Sequence, residues 1–222
     1  MSKFHRIAPL DQVGWLAVES EAFKDRIAEA GRWCSFFAGQ VIYHAGDPSD
    51  GLYGLASGGL EVAFPLVAEE PVVIHRAEIG FWFGDAAELS ERPRLVSISA
   101  ATDSRLFHIP SRAVSALLKE QPEYWRSFYR LNLLTIATAV TLLSETLALS
   151  IRARVCRRLL QLTEGSGEVR ISQEEFAKLL GVARTTMKGC LADLEHRGAV
   201  RVEYRKIVVI DRSILAAFRD EQ

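Results

Sequence analysis

The stretch ISQEEFAKLLGVARTTMKGCLADLEHRGAV, Ile171 to Val200, restricts the fold more than any other part of the chain. Ser172 followed by Glu175 forms S-x-x-E, in which hydroxyl and carboxylate each satisfy an orphan backbone donor, so a helix is expected to start there. Phe176, Leu179 and Leu180 provide its apolar side. Gly181 then suits a tight turn, Val182 plugs the corner, and a second helix follows with Met187, Leu191 and Leu194 facing inward and Gly198 just past its end. Two short helices joined in this way are a helix-turn-helix. The following VRVEYRKIVVI reads as a two-stranded hairpin turning at Tyr204, Arg205 and Lys206, the wing of a winged module.

The second helix sends Arg184, Thr185, Lys188 and Gly189 toward solvent near its N-terminal end. A helix N-terminus favours phosphate, a Thr hydroxyl bonds backbone oxygens, and an Arg forks onto guanine. Double-stranded DNA is therefore the expected partner. The candidate contacts are Arg184 as base reader, Thr186 and Lys188 on phosphates, and Ser172, Gln173, Thr185, Arg205 and Lys206 around them. A helical hairpin with an ordinary solvated face would share the spacing, so the charge distribution matters. Up to Ser150 there are 13 Lys and Arg against 18 Asp and Glu; after it there are 14 against 10. An acidic front and a basic back suggest two domains, the second facing a polyanion.

The front reads differently. Residues 1 to about 35 carry helical spacing at Val13, Leu16, Ala17, Ser20, Phe23 and Ile27, up to a break at Gly31. From Phe36 the pieces QVIYHA, GLYGLA, LEVAF, VVIHRAEI, LVSISAA and SRLFHI alternate with the turns GDPSDG, SGG, AEEP, FGDAAELSERPR and TDS, the pattern of a small antiparallel roll. Pro110-Ser111 opens a second helical tract. A long helix is expected from Pro122 to about Leu149, another from Ser150 to about Thr163, and EGSGE as a connector. The fold class is α+β, with residues 1–121 as the roll domain, 122–149 as a linking helix and 150–222 as the winged module.

Along the long helix Phe128, Leu131, Thr135, Thr138, Leu142 and Glu145 recur at 3,4 spacing, beside a second stripe of Trp125, Tyr129, Asn132, Ile136, Ala139 and Leu143. Two stripes exceed what packing on one domain requires. The first is the candidate homodimer interface, as in a two-stranded coiled coil; an internal core helix is the alternative.

With 49% hydrophobic residues the chain can bury one large or two modest cores without staples. Cys34, Cys156 and Cys190 lie far apart and suggest neither disulfides nor a metal cluster, which fits a reduced cytoplasm. The start lacks the pattern of an export signal, and no run of roughly 18 uncharged apolar residues is found, so no membrane partner is expected. No nucleophile with a base, no metal-ligand spacing and no phosphate loop appears, so the chain is not expected to be an enzyme.

In this order, an acidic roll, a long helix with a spare apolar stripe and a winged helix-turn-helix resemble the Crp/Fnr family of bacterial transcription regulators. GDPSDGLYGLASGGLEV, Gly46 to Val62, is similar to the family's roll entrance, and FAKLLGVARTT, Phe176 to Thr186, to its DNA-reading motif. The resemblance implies a homodimer joined through the long helix, one reading helix per half of a palindromic operator, and RNA polymerase as a further partner of an activator. Members reading the best-known operators carry Arg, Glu and Arg along the reading helix. Here Arg184 is followed by Thr185 and Gly189 in the latter two places, so a different operator is expected.

Cyclic-nucleotide-binding relatives carry a phosphate cassette, G-E-x-A-L and then R-S or R-A. The matching residues are Gly84, Asp85, Ala86, Arg94 and Leu95, the candidate effector contacts. Asp85 is a methylene shorter than Glu and Leu95 lacks the hydroxyl, so cAMP is a poor match and the effector is unknown. A ligand in an aromatic-walled pocket near Phe81, Trp82 and Phe83, or no ligand, is the expectation. Cys34 alone cannot hold the family's iron-sulfur cluster, and His44, His75 and His108 do not suggest a haem ligand. The rival function is a ligand-binding regulatory subunit whose C-terminal module contacts proteins.

Overall fold

The computed structural model describes residues 7–65, 72–163 and 167–221, and the chain divides into two compact units, residues 1–137 and 138–222. The division falls inside the long helix.

In the first unit a 3-10 turn, Trp15–Val18, leads into α1, Glu21–Ala30, whose N-terminus is capped by Ser20 accepting from the Phe23 amide at 3.3 Å. The helical tract expected up to residue 35 is thus shorter. Ser20 is a cap and not part of an apolar face, and Gly31 passes directly into a strand. Residues 1–6 lie outside the described part.

Eight strands follow: β1 Arg32–Phe36, β2 Val41–Tyr43, β3 Gly51–Ser57, β4 Leu60–Phe64, β5 Val72–Ala77, β6 Trp82–Phe83, β7 Ser97–Ala100 and β8 Ser104–Pro110. They form two antiparallel four-stranded sheets, ordered β1-β8-β3-β6 and β2-β7-β4-β5. The expected turn AEEP, residues 68–71, lies outside the described part.

Within the segment expected as one long turn, Asp85–Ser90 forms a short helix, α2, which starts after Gly84 at φ 96°. Gly84 is required there twice over. Its positive φ favours glycine, and a Cβ would stand 2.4 Å from Arg94 Nη1. The aromatic triplet beside it splits between two cores, because successive residues of a strand face opposite sides. Phe83 packs between the sheets with Tyr43, Tyr53, Leu55 and Ile98, and Phe81 lies against that core. Trp82 joins the outer core, its ring 5.3 Å from Trp15. Helix α3, Ser111–Glu120, and the turn Pro122–Tyr124 bring the chain to α4, Trp125–Ala148.

Phe128 and Leu131 on α4 are buried in the outer core with Trp15, Phe23 and Tyr124. They cannot also face a second molecule, which corrects their assignment to a dimer interface. Beyond Trp125 at its start, the exposed large apolar residues of the helix are instead Tyr129, Leu133, Leu134, Ile136, Val140, Leu143 and Leu147. Six of them, all but Leu134, follow strict 4-3-4-3-4 spacing, the seam of a coiled coil. Thr138 is exposed, while Thr135, Leu142 and Glu145 are half-buried at its border. Among the described residues one helix, Pro122–Ala148, is long and apolar enough by length and composition to cross a membrane. Its stretch 131–148 carries Glu145, Asn132, Ser144 and four threonines, so it is not a run of uncharged apolar residues.

In the second unit, α5, Ile151–Leu162, is capped by Ser150, which accepts from the Ala153 amide. Strand β9, Glu168–Val169, helices α6, Gln173–Leu180, and α7, Arg184–His196, strands β10, Val200–Glu203, and β11, Lys206–Val209, and helix α8, Arg212–Phe218, complete the chain. The wing is a three-stranded sheet, β10-β11-β9, and not a two-stranded hairpin alone. The connector's Glu168 enters it, whereas residues 164–166 lie outside the described part.

Candidate nucleic-acid interface and effector pocket

The reading module is built as its local chemistry dictates. Ser172 accepts from the Glu175 amide at 3.1 Å while Glu175 accepts from the Ser172 amide at 2.7 Å, the complete capping box. Gly181 takes φ 63° between the helices, and Phe176, Met187, Leu191 and Leu194 are fully buried beneath them. Asp193 on the far side of α7 accepts from Arg152 at 3.3 Å and from Arg197 at 3.0 Å, which ties the reading helix to α5.

The exposed face of α7 carries Arg184, Thr185, Thr186 and Lys188. A trench of about 420 Å³ runs between the N-terminal turns of α6 and α7 and the wing, lined in part by Ser172, Gln173, Arg184, Lys188 and Arg205. The fold thus gathers most of the predicted DNA contacts along one groove. Its electrostatics were not legible in the sequence. Arg184 lies 3.7 Å from Glu174, Arg205 donates to Glu175 at 3.1 Å, and Lys206 sits 2.9 Å from Glu203 and 3.4 Å from Glu168. Lys188 has no ion-pair partner among the described residues. A Cβ at Gly189 would meet open space, so the missing second Arg of the reading helix leaves a gap and not a clash.

The roll places Gly84 and Arg94 together, as expected, and gives each a partner within the protein. Arg94 is buried: Nη1 donates to the Gly84 carbonyl at 3.1 Å, and Nη2 donates to Asp50 at 2.7 Å and to the Gly51 carbonyl at 2.9 Å. Its guanidinium also covers the Tyr43 ring at 4.2 Å. Only Nε is buried without a partner. Asp50, absent from the expected site, also accepts from the Tyr53 hydroxyl at 2.6 Å. The rings of Tyr53, Phe83 and Phe81 stack in sequence, and His108 also stacks with Tyr53, ring centroids 4.3 Å apart. Burial lowers the His108 pKa, against the opposing pull of the Asp50 carbonyl. Burial also raises the Tyr43 and Tyr53 phenols, and Tyr53 is further raised by its hydrogen bond to Asp50.

Asp85, assigned to the same pocket, points elsewhere. It is 2% exposed, and its Oδ2 accepts from Asn132 of α4 at 3.1 Å. Burial raises its pKa; the Asn132 and backbone hydrogen bonds partly offset that shift. It lines an outer cavity of about 350 Å³ with Ala86, Trp125, Tyr129 and Asn132. Leu95 is 70% exposed and contributes nothing to the pocket. The residues present therefore fit a cyclic nucleotide poorly: the acid that would meet the ribose is turned to the long helix, and three of the Arg94 donor positions are filled.

Residues 33–121 match the profile of the cyclic nucleotide-binding domain and residues 153–218 that of the Crp-like helix-turn-helix domain, in the order in which roll and winged module occur here. The chain belongs to the Crp/Fnr family of transcription regulators.

Among its Crp/Fnr relatives is the CRP-like cAMP-activated global transcriptional regulator of Mycobacterium tuberculosis, 26% identical over 190 residues, 82% of this chain and 85% of that one. A Thermus thermophilus regulator, SdrP, is 27% identical over 189 residues, 80% of this chain and 89% of that one. The solved structure of a CRP/FNR-family transcriptional regulator from Thermus thermophilus superposes with a TM-score of 0.72 at 22% identity, covering 86% of this chain and 99% of that one, and shows the shared fold. The Crp/Fnr chain is thus a DNA-binding regulator and not an enzyme.

Proposed function

We propose that this regulator is a cytoplasmic homodimer that binds a palindromic operator with one α7 in the major groove of each half-site. The observation that carries the reading is the pairing of an exposed N-terminal end of α7, bearing Arg184, Thr185 and Lys188, with an unbroken 4-3-4-3-4 apolar seam on α4. A second copy accounts for the seam better than lipid does, because the same helix buries Phe128 in its own roll and ends in a Glu145–Arg157 ion pair of 3.0 Å. If the protein activates transcription, RNA polymerase is its further partner.

The test is selection of duplexes from a randomised DNA pool with the full chain, followed by anisotropy titration at several salt concentrations and sedimentation of the free protein. A palindromic consensus, a steep fall of affinity with salt and a dimer are expected. A protein that enriches no sequence overturns the reading.

For the roll, the mycobacterial relative is described as cAMP-activated, whereas the Asp85–Asn132 bond and the Asp50-bonded Arg94 support a divergent pocket here. Saturating cAMP is expected to leave the melting temperature within about a degree. A rise of several degrees would show a working nucleotide site, since ligand at about 100 times Kd stabilises by roughly 2.7 kcal/mol.

A further inference from the structure

The wing turns on Tyr204 and Arg205, and the two differ in what they already touch. Arg205, held at φ 51°, reaches back to Glu175, the capping-box acid of α6. Lys206 lies between Glu203 and Glu168, and Arg201 donates to Glu203 at 3.0 Å. Every cation of the wing thus meets a carboxylate of its own module. Glu203 and Lys206 shift in opposite directions through their mutual hydrogen bond, Glu203 down and Lys206 up, as expected of a formed pair.

Tyr204 has no such partner. It is 93% exposed at the apex of the hairpin, and among the described residues it makes no hydrogen bond or ring contact. It also borders the trench that holds Arg184 and Lys188, on the side opposite α7. A duplex seated on the N-terminal end of α7 would bring its flanking sugar-phosphate wall to that rim. A phenol suits such a wall: the ring packs on a deoxyribose and the hydroxyl donates to a phosphate oxygen, with no charge of its own.

We infer that Tyr204 is the wing's main DNA contact, and that Arg205 and Lys206 brace the hairpin through Glu175, Glu203 and Glu168 instead of clamping phosphates. The inference rests on DNA binding through α7 but assigns the wing a separate chemistry. Because a neutral group releases no counterion, the wing adds affinity without adding salt dependence.

The test uses full-length protein and duplexes enriched by the wild type from a randomised pool, with affinities measured over a series of KCl concentrations. Tyr204→Ala should weaken binding about tenfold on enriched and scrambled duplexes alike, with the slope of log affinity against log salt unchanged. Tyr204→Phe should fall between the two, having kept the ring and lost the hydroxyl. Lys188→Ala should flatten the slope by about one, whereas the double variant Arg205→Ala/Lys206→Ala should leave it unchanged. Unaltered urea unfolding of Tyr204→Ala keeps the result free of folding effects. Wild-type affinity in Tyr204→Ala, or a slope flattened by about two in the double variant, overturns the inference while leaving DNA binding intact. A wild type that binds no duplex overturns both.

Discussion

Arg94 and Asp50 meet at 2.7 Å, with the arginine side chain 1% exposed and the aspartate at the surface of the roll. Two carbonyl oxygens and the Tyr43 ring also receive the guanidinium, but Asp50 is its only carboxylate partner among the described residues. Removing one member of a buried pair strands the other charge. Asp50→Ala is therefore expected to cost roughly 2 kcal/mol, less than a fully buried pair because Asp50 is largely solvated. Asp50→Asn, which keeps an acceptor, should cost less than half as much. Urea unfolding followed by tryptophan fluorescence reads both values; identical midpoints for Asp50→Ala and wild type would refute the role given to the pair.

Glu19 offers a pH test. Its buried carboxylate accepts from Ser127 at 2.8 Å and from Arg130 Nε at 2.8 Å. Burial by itself would raise the pKa, but the Arg130 and Ser127 hydrogen bonds outweigh it and hold the carboxyl below its usual 4.5. A folded pKa below the unfolded one means that the stabilisation is complete above the unfolded value and is lost as pH falls through the folded one. Glu19→Gln should thus lower stability by about 2 kcal/mol at pH 7, and the difference should be smaller at pH 3, below the unfolded value. A difference of the same size at both pH values would exclude this origin.

The two faces of α4 should respond oppositely. Leu133→Glu combined with Val140→Glu places charge on the exposed seam and is expected to convert a dimer to a monomer in sedimentation equilibrium, with the far-ultraviolet circular dichroism retained. Phe128→Ala opens a cavity in the outer core instead, and should cost about 3–5 kcal/mol in the unfolding of either form. A seam variant that stays dimeric would move the interface elsewhere.

On the reading helix, Gly189→Ala should raise stability by about 0.5–1 kcal/mol, since an alanine there meets no neighbour and glycine inside a helix is unfavourable. Operator preference should not change. Gly189→Arg adds a donor fork on the same face and should shift the enriched sequence toward a guanine, a gain of about 1–3 kcal/mol over other bases. Arg184→Ala should reduce the difference between enriched and scrambled duplexes more than it reduces affinity for scrambled DNA.

Where structure follows from neighbours in the chain, the residues alone were enough. The Ser172–Glu175 capping box, the left-handed Gly181 turn, the buried Met187, Leu191 and Leu194, and the glycine-punctuated strands all depend on contacts within a few positions. The short helix α2 escaped notice because its six residues carry no periodic signal, and α8 was passed over although Asp211 caps it through the Ser213 amide.

The long helix shows the limit of pattern reading. Stripes one residue apart on α4 are almost equally apolar, and which of them is covered depends on where Trp15 and Phe23 stand, more than 100 residues earlier. The effector pocket shows it again. Asp85 and Arg94 occupy their expected places in the cassette, yet Asn132 lies 47 residues from Asp85 and Asp50 lies 44 from Arg94. By itself the sequence determined the roll, the long helix and the winged reading module, because caps, turns and periodicity act locally. The partners of Asp85, Arg94, Arg205 and the α4 stripes were decided only by the tertiary structure, because a charge or an apolar face is satisfied by whatever the fold brings beside it.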